Sequence, residues 1–247
     1  MSDGPGVERR PAFYAARAGG WRDWWTLLHP PYTAWHLAYV VIGASLAPHV
    51  ELARLVATLL AFFFAVGCAA HALDELHGRP LGTRIPAGAL ITLTVVGLTG
   101  AIVLGIAGLS RVGWPLIPFM VVGPVLVVAY NFELFGGLVH TDAGFALAWG
   151  SFPVLVGYVA QTGRLAVSPV LAAAAACALS VAQRRLSTPA RLIRRRADAV
   201  EGRVTLGNGD QIRLDTRSVL APLEGALHAM SWGVVLVAAA LAVDRLR

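Results

Sequence analysis

Residues 67–86 read GCAAHALDELHGRPLGTRIP. The stretch closes a long apolar run that begins near Glu51, and within it the chain stops being merely apolar. His71, Asp74, Glu75 and His77 fall within seven residues, and Arg79 follows. On a helix, His71 stands three residues before Asp74 and four before Glu75, so the three share one face. Such a face at the end of a membrane helix can ligate a divalent ion, and ionisable groups at membrane depth are as a rule functional. The same residues also suit an interfacial helix end whose charges are solvated.

Composition sets the frame for that stretch. Of 247 residues, 57% are hydrophobic and only 14% charged, and the mean hydropathy is +0.66. A soluble domain carries about 25% charged residues. Several runs approach the ~20 apolar residues that span a bilayer. The expected fold is therefore all-α: a polytopic transmembrane helical bundle in one membrane domain. The net charge of +6 comes from arginine alone, because the chain has no lysine. In a membrane protein such charge sets orientation and meets anionic lipid, so it gives no reason to expect nucleic acid as a partner. Cys68 and Cys177 lie in apolar runs and read as small core residues. Residues 1–20 lack the continuous apolar core of a cleavable signal peptide.

Seven spans are expected. Residues 1–31 form an amino-terminal segment, unstructured at first. Then Trp21, Trp24 and Trp25, beside Arg22 and Asp23, form an interfacial helix stopped by Pro30-Pro31. The transmembrane domain covers 32–243. Its spans run from about Tyr32 to Leu46, Glu51 to Asp74, Pro86 to Leu109, Trp114 to Tyr130, Gly144 to Val159, Ala166 to Val181 and Val219 to Val243. His36, inside the first, reads as a hydrogen-bonded core group. Between the fourth and fifth spans, YNFELFGGLVHTDAGF (130–145) gathers Asn131, Glu133, His140 and Asp142 among apolar residues. It reads either as a loop dipping inward to line a cavity or as an amphipathic connector. Residues 182–217 form an arginine-rich connection. Ser187-Thr188-Pro189 signals a new helix there, whose Arg191–Arg196 would lie on anionic headgroups. Alternating residues around Gly207-Asn208-Gly209-Asp210 signal a β-hairpin. In the last span, Glu224 and His228 stand four apart and can complete a site begun by His71 if that span packs beside the second. Fifteen of the 20 arginines fall on the amino-terminal side of this arrangement. The positive-inside rule then places the amino terminus, the His71 motif and the 130–142 stretch at the cytoplasmic face of an integral membrane protein.

At this point the sequence resembles the UbiA superfamily of intramembrane prenyltransferases and terpene cyclases, over roughly residues 25–185. That family ends its second span with Asn-Asp-x-x-Asp-x-x-x-Asp, followed by Arg-Pro-Leu. Here Ala70-His71-Ala72-Leu73-Asp74 precedes Arg79-Pro80-Leu81. Asp74 matches the second aspartate, His71 stands in place of the first and Gly78 in place of the third. The resemblance implies a bundle with a central cavity and Mg²⁺-dependent chemistry on an isoprenoid diphosphate. It makes Asp74, Arg79 and Glu133 the expected catalytic residues, and Tyr130, Asn131, Trp149, Tyr158 and Arg184 the expected substrate contacts. The aromatic rings among these would face an allylic cation. The family's second aspartate motif, at the end of the sixth span, is replaced here by Ala182-Gln183-Arg184-Arg185, where Arg184 and Arg185 can bind phosphate directly or simply anchor the helix.

The histidines point to a second function class. Imidazole with carboxylate suits Fe or Zn better than Mg²⁺. His71, Asp74, Glu75, His140, Asp142, Glu224 and His228 are the candidate ligands for such an ion. That reading gives hydrolysis or oxygen chemistry on a lipid or isoprenoid. A third reading is a non-catalytic membrane protein that binds lipid or a protein partner.

Overall fold

The computed structural model describes residues 10–246; the expectation for residues 1–9 lies outside them. Besides a single turn at Leu134–Gly137, eight helices follow in order: α1 Trp21–Leu27, α2 Pro30–Ser45, α3 Leu52–Leu76, α4 Ala87–Val112, α5 Trp114–Asn131, α6 Asp142–Thr162, α7 Val167–Arg196 and α8 Thr216–Arg245. A hairpin of β1 Gly202–Thr205 and β2 Gln211–Leu214 separates the last two. Helices α3 to α8 are each long and apolar enough to cross a membrane. The expected first span, α2, has sixteen residues. At 1.5 Å per residue it is ~24 Å long, short of a ~30 Å hydrocarbon core.

Proline and glycine explain where α2 sits. Pro30 opens it at a position where a missing N–H costs nothing, and Pro48 follows shortly after its end. It packs between α6 and α8. A Cβ on Gly43 would stand 2.0 Å from the Val154 carbonyl oxygen, and one on Gly157 would stand 2.3 Å from that of Val40. The α2 and α6 backbones therefore touch, a packing mode that small residues allow where there is no water to drive association. Trp35, Tyr39 and Val154 fill the space beside this crossing. A second core, centred on Phe62, Val66, Val127, Tyr130 and Trp149, joins α3, α5 and α6.

The outer surface is apolar. Ile91, Val95, Val103 and Ile106 on α4, Val121 and Val125 on α5, and Leu236 and Val237 on α8 are all exposed. So much contiguous apolar surface is a liability in water and a match for lipid tails. Trp21 on α1 and Trp114 on α5 are the most exposed tryptophans, at 71% and 77%. They cap opposite ends of the bundle, where amphipathic rings belong.

Two local features differ from expectation. α7 does not stop near Val181; it runs unbroken through Pro189 for thirty residues. A helix-interior proline costs ~3 kcal/mol. Its neighbours Ser187 and Ala190 are buried, and further on Arg194 forks onto Glu224 of α8, so tertiary contacts carry the helix past the break. Residues 10–20, expected to lack structure, pack onto the bundle, with Ala12 and Ala15 buried. The hairpin forms as expected, pairing Val204 with Ile212, and Asp215 with Ser218 then caps the start of α8.

Candidate functional site

Two helices change pitch at one depth. α3 is π-helical over Phe63–Ala70 and α6 over Ala146–Ser151. A π-helical turn leaves carbonyls off the usual ladder, and such turns often mark functional sites. Here histidines use them. His71 Nδ1 donates to the Gly67 carbonyl at 3.2 Å, and His36 Nδ1 donates to the Trp149 carbonyl at 2.9 Å. His140 makes a third such bond, 2.9 Å to the Tyr130 carbonyl at the end of α5. A carbonyl only accepts, so each ring, when neutral, holds its proton on Nδ1 and its lone pair on Nε2.

The end of α3 sorts its charges in a way that helical spacing does not foresee. Glu75 is fully buried, and its carboxylate accepts from Leu81 N (2.9 Å), Thr83 N (2.8 Å) and Thr83 Oγ1 (2.8 Å). It staples the loop between α3 and α4. Arg79 belongs to the same loop, in a left-handed conformation (φ 52°) with its guanidinium on the Ile85 carbonyl at 2.7 Å. Asp23 of α1 ties the loop down from above, accepting from Arg84 N at 3.0 Å and Gly19 N at 2.8 Å. Asp74, half-buried, is different: among the described residues no hydrogen bond or ion pair holds its carboxylate.

The amino-terminal segment covers this end of the bundle. Tyr14 lies between His29 (5.2 Å) and Tyr32 (5.5 Å). His29 stacks on His71 at 4.2 Å, and Phe13 meets His228 of α8 at 5.0 Å. Burial, then the nearby His71, pushes His29 well below the usual imidazole range, and burial raises the Tyr14 phenol. Tyr14, His29, Tyr32 and His36 thus sit around His71 and Asp74. Tyr14 had no signal in the sequence beyond being aromatic, and its position depends on a segment without periodicity.

The corner between α5 and α6 supplies another wall. Tyr130 is buried, stacked by His140 at 4.5 Å and met edge-on by Trp149 at 5.8 Å. Asn131 caps its own helix, donating to the Val127 carbonyl at 2.7 Å. Glu133 is exposed, its carboxylate 3.9 Å from His140 Nε2, too long for a hydrogen bond. Asp142 pairs with Arg184 at 2.9 Å, and the Arg184 guanidinium lies over Phe145. Phe135 and Leu138 are about three-quarters exposed, so the apolar side chains of this connection face outward and do not line an inner cavity.

Other expected residues lie elsewhere. Glu224 is committed to Arg194, and α8 packs on α2 and α7. His228 is linked to His71 only through the ring sequence Phe13, Tyr14 and His29. Tyr158 is buried nine residues beyond Trp149 on α6, ~13 Å further along the bundle. Beyond Trp149 there is also an apolar cavity of about 310 Å³ between α3, α4, α5 and α6. Val66, Val127, Trp149 and Phe152 line its near end, and Glu51, Arg54 and Arg111 border the far end. The volume is at the lower end of ligand pockets, about 300–1,000 Å³.

The arrangement is a packed polar cluster around His71 and Asp74, hereafter the chamber, and an apolar slot, with Trp149 bordering both. No three His, Cys, Asp or Glu side chains converge on one point among the described residues. Asp74 alone offers an uncommitted carboxylate to the chamber. No family model matches the chain, and no curated protein and no solved structure does so either.

Proposed function

We propose that the protein is an intramembrane enzyme acting on an isoprenoid diphosphate, by prenyl transfer or terpene cyclisation. One observation carries this reading: a cluster of polar side chains with a free carboxylate, Asp74, lies beyond Tyr130 and Trp149 from an apolar slot of about 310 Å³. An amphiphile with a charged head and an apolar tail matches such a pair of spaces. The resemblance at Asp74 and Arg79-Pro80-Leu81 supports it.

In this reading the slot takes the isoprenoid chain and the chamber takes the diphosphate. Asp74 would hold a divalent ion, which when bound neutralises charge gathering on the leaving diphosphate. Trp149, on the boundary, presents its ring to the carbon that becomes cationic as the C–O bond breaks, and a π face stabilises such a cation. Tyr130 contributes an edge, because His140 covers one of its faces. Arg79 and Glu75 act indirectly, holding the loop that frames Asp74. The covering segment, residues 10–20, keeps water from the cation.

The test is to incubate purified protein with geranyl, farnesyl and geranylgeranyl diphosphate and Mg²⁺ and measure pyrophosphate release. Release that is lost in D74N supports the reading; no release at any chain length overturns it. One observation favours a second reading. His36, His71 and His140 all present Nε2 lone pairs, as histidine ligands of Fe or Zn do. Tightly held Fe or Zn in protein inactive on prenyl diphosphates would promote that reading.

A further inference from the structure

Six arginines lie on the last four turns of α7, and they do not share one fate. Arg184 pairs with Asp142, and Arg194 forks onto Glu224. Arg191 and Arg195, one turn apart, face the chamber. Both are within electrostatic reach of Asp74, Tyr14, His29 and Tyr32, and Arg191 also reaches Tyr130. Among the described residues neither has a carboxylate within ion-pair distance. Arg191, half-buried, reaches only Thr188 Oγ1 at 3.5 Å on its own helix, and Arg195, at the rim, reaches the Pro11 carbonyl at 3.3 Å. Like charges at this spacing repel each other. Asp74 balances one of them, so the chamber mouth carries a net positive charge.

Guanidinium groups present paired N–H donors that match phosphate oxygens. We propose that Arg191 and Arg195 bind the phosphoryl group of a membrane amphiphile directly, with no bridging metal ion. The site places the ligand's head against α7, opposite Asp74. The proposal rests on the chamber assigned above and not on its reaction.

The experiment measures binding in EDTA, with the full chain in phosphatidylcholine nanodiscs and farnesyl diphosphate as the probe; farnesol is the uncharged control. Wild type should bind the diphosphate and not farnesol. R191Q/R195Q should weaken binding by about tenfold or more, the scale of losing charge-assisted hydrogen bonds. R196Q should not change it. R191K keeps the charge but loses the fork, so it should still weaken binding, which guards against a misfolded double variant. Competition by inorganic pyrophosphate assigns recognition to the phosphate alone, and competition by phosphatidic acid in the disc assigns it to a lipid headgroup; either supports the site. Binding that EDTA abolishes, or that R191Q/R195Q and R191K leave unchanged, overturns it. Binding in EDTA without pyrophosphate release under Mg²⁺ would keep this site and remove the proposed enzyme. Release with binding untouched by the arginine variants would do the reverse.

Discussion

Glu75 and Asp74 are neighbours in sequence, and the structure gives them opposite jobs. The difference can be measured. Replacing Glu75 by alanine leaves three donors in a fully buried pocket without an acceptor: Leu81 N, Thr83 N and Thr83 Oγ1. Each buried polar group left unpaired costs about 1–3 kcal/mol. Part of that is recovered because the loop can loosen and admit water, so a total of about 3–5 kcal/mol is expected, in line with losing one side of a buried charged network. Converted at ~2–4 °C per kcal/mol for a chain of this size, the melting temperature in detergent should fall by on the order of 10 °C. E75Q keeps one oxygen for Thr83 and turns an amide N–H₂ towards Leu81 N, so its loss should be smaller, about 1–3 kcal/mol. D74N should melt within ~1 °C of wild type, because no hydrogen bond holds that carboxylate. Thermal unfolding followed by tryptophan fluorescence, with the three variants in one detergent, gives the order. If E75A keeps wild-type stability while losing ligand or activity as D74N does, Glu75 belongs to the chemistry and the staple argument is wrong.

Two further outcomes follow from other parts of the chain. By the positive-inside rule the arginine distribution leads us to expect the amino terminus and the hairpin in the cytoplasm and the carboxy terminus outside. Reporter fusions at Gly207 and Arg247 should therefore land on opposite sides, and finding both on one side would remove α2 as a membrane traverse. His29 is held neutral below its usual range by burial and by His71. Since the unfolded chain takes up the proton first, stability should be full above pH ~6.5 and decline as the pH falls below it. H29F should flatten that decline, and a wild-type profile unchanged down to pH 5 would show that His29 does not titrate against folding.

What the sequence made legible was what is local. Apolar run length placed α3, α4 and α5 within about three residues of their observed ends, and the Gly-Asn-Gly-Asp turn located the hairpin. The spacing of His71, Asp74 and Glu75 put them on one helical face, but it could not say that the following loop would fold back onto Glu75 and leave Asp74 alone. The i, i+4 pair Glu224 and His228 was equally visible, whereas Glu224's partner came from α7 and not from α3, a choice made by helix packing. Ser187-Thr188-Pro189 signals the start of a new helix because proline's local cost inside one is real; the contact of Arg194 with Glu224 on α8 helps carry α7 through it. Tyr14 escaped notice, and Arg191 and Arg195 read only as contacts to anionic headgroups, because nothing periodic marks a side chain whose importance comes only from what it faces.

The ring contact between Phe13 and His228 joins the first described turn of the chain to its last helix. A contact of such sequence separation closes late, because the entropy of the intervening chain must be spent before it forms. During synthesis Tyr14 can meet His29 and Tyr32 early, but Phe13 has no His228 to pack on until α8 has been inserted. The cover over the chamber is therefore completed only at the end of assembly. A nascent chain arrested before α8 should expose the Asp74 face to solvent probes that the finished protein excludes. A bulky fusion placed directly before Pro11 should act less on the folding of the bundle than on this final covering step.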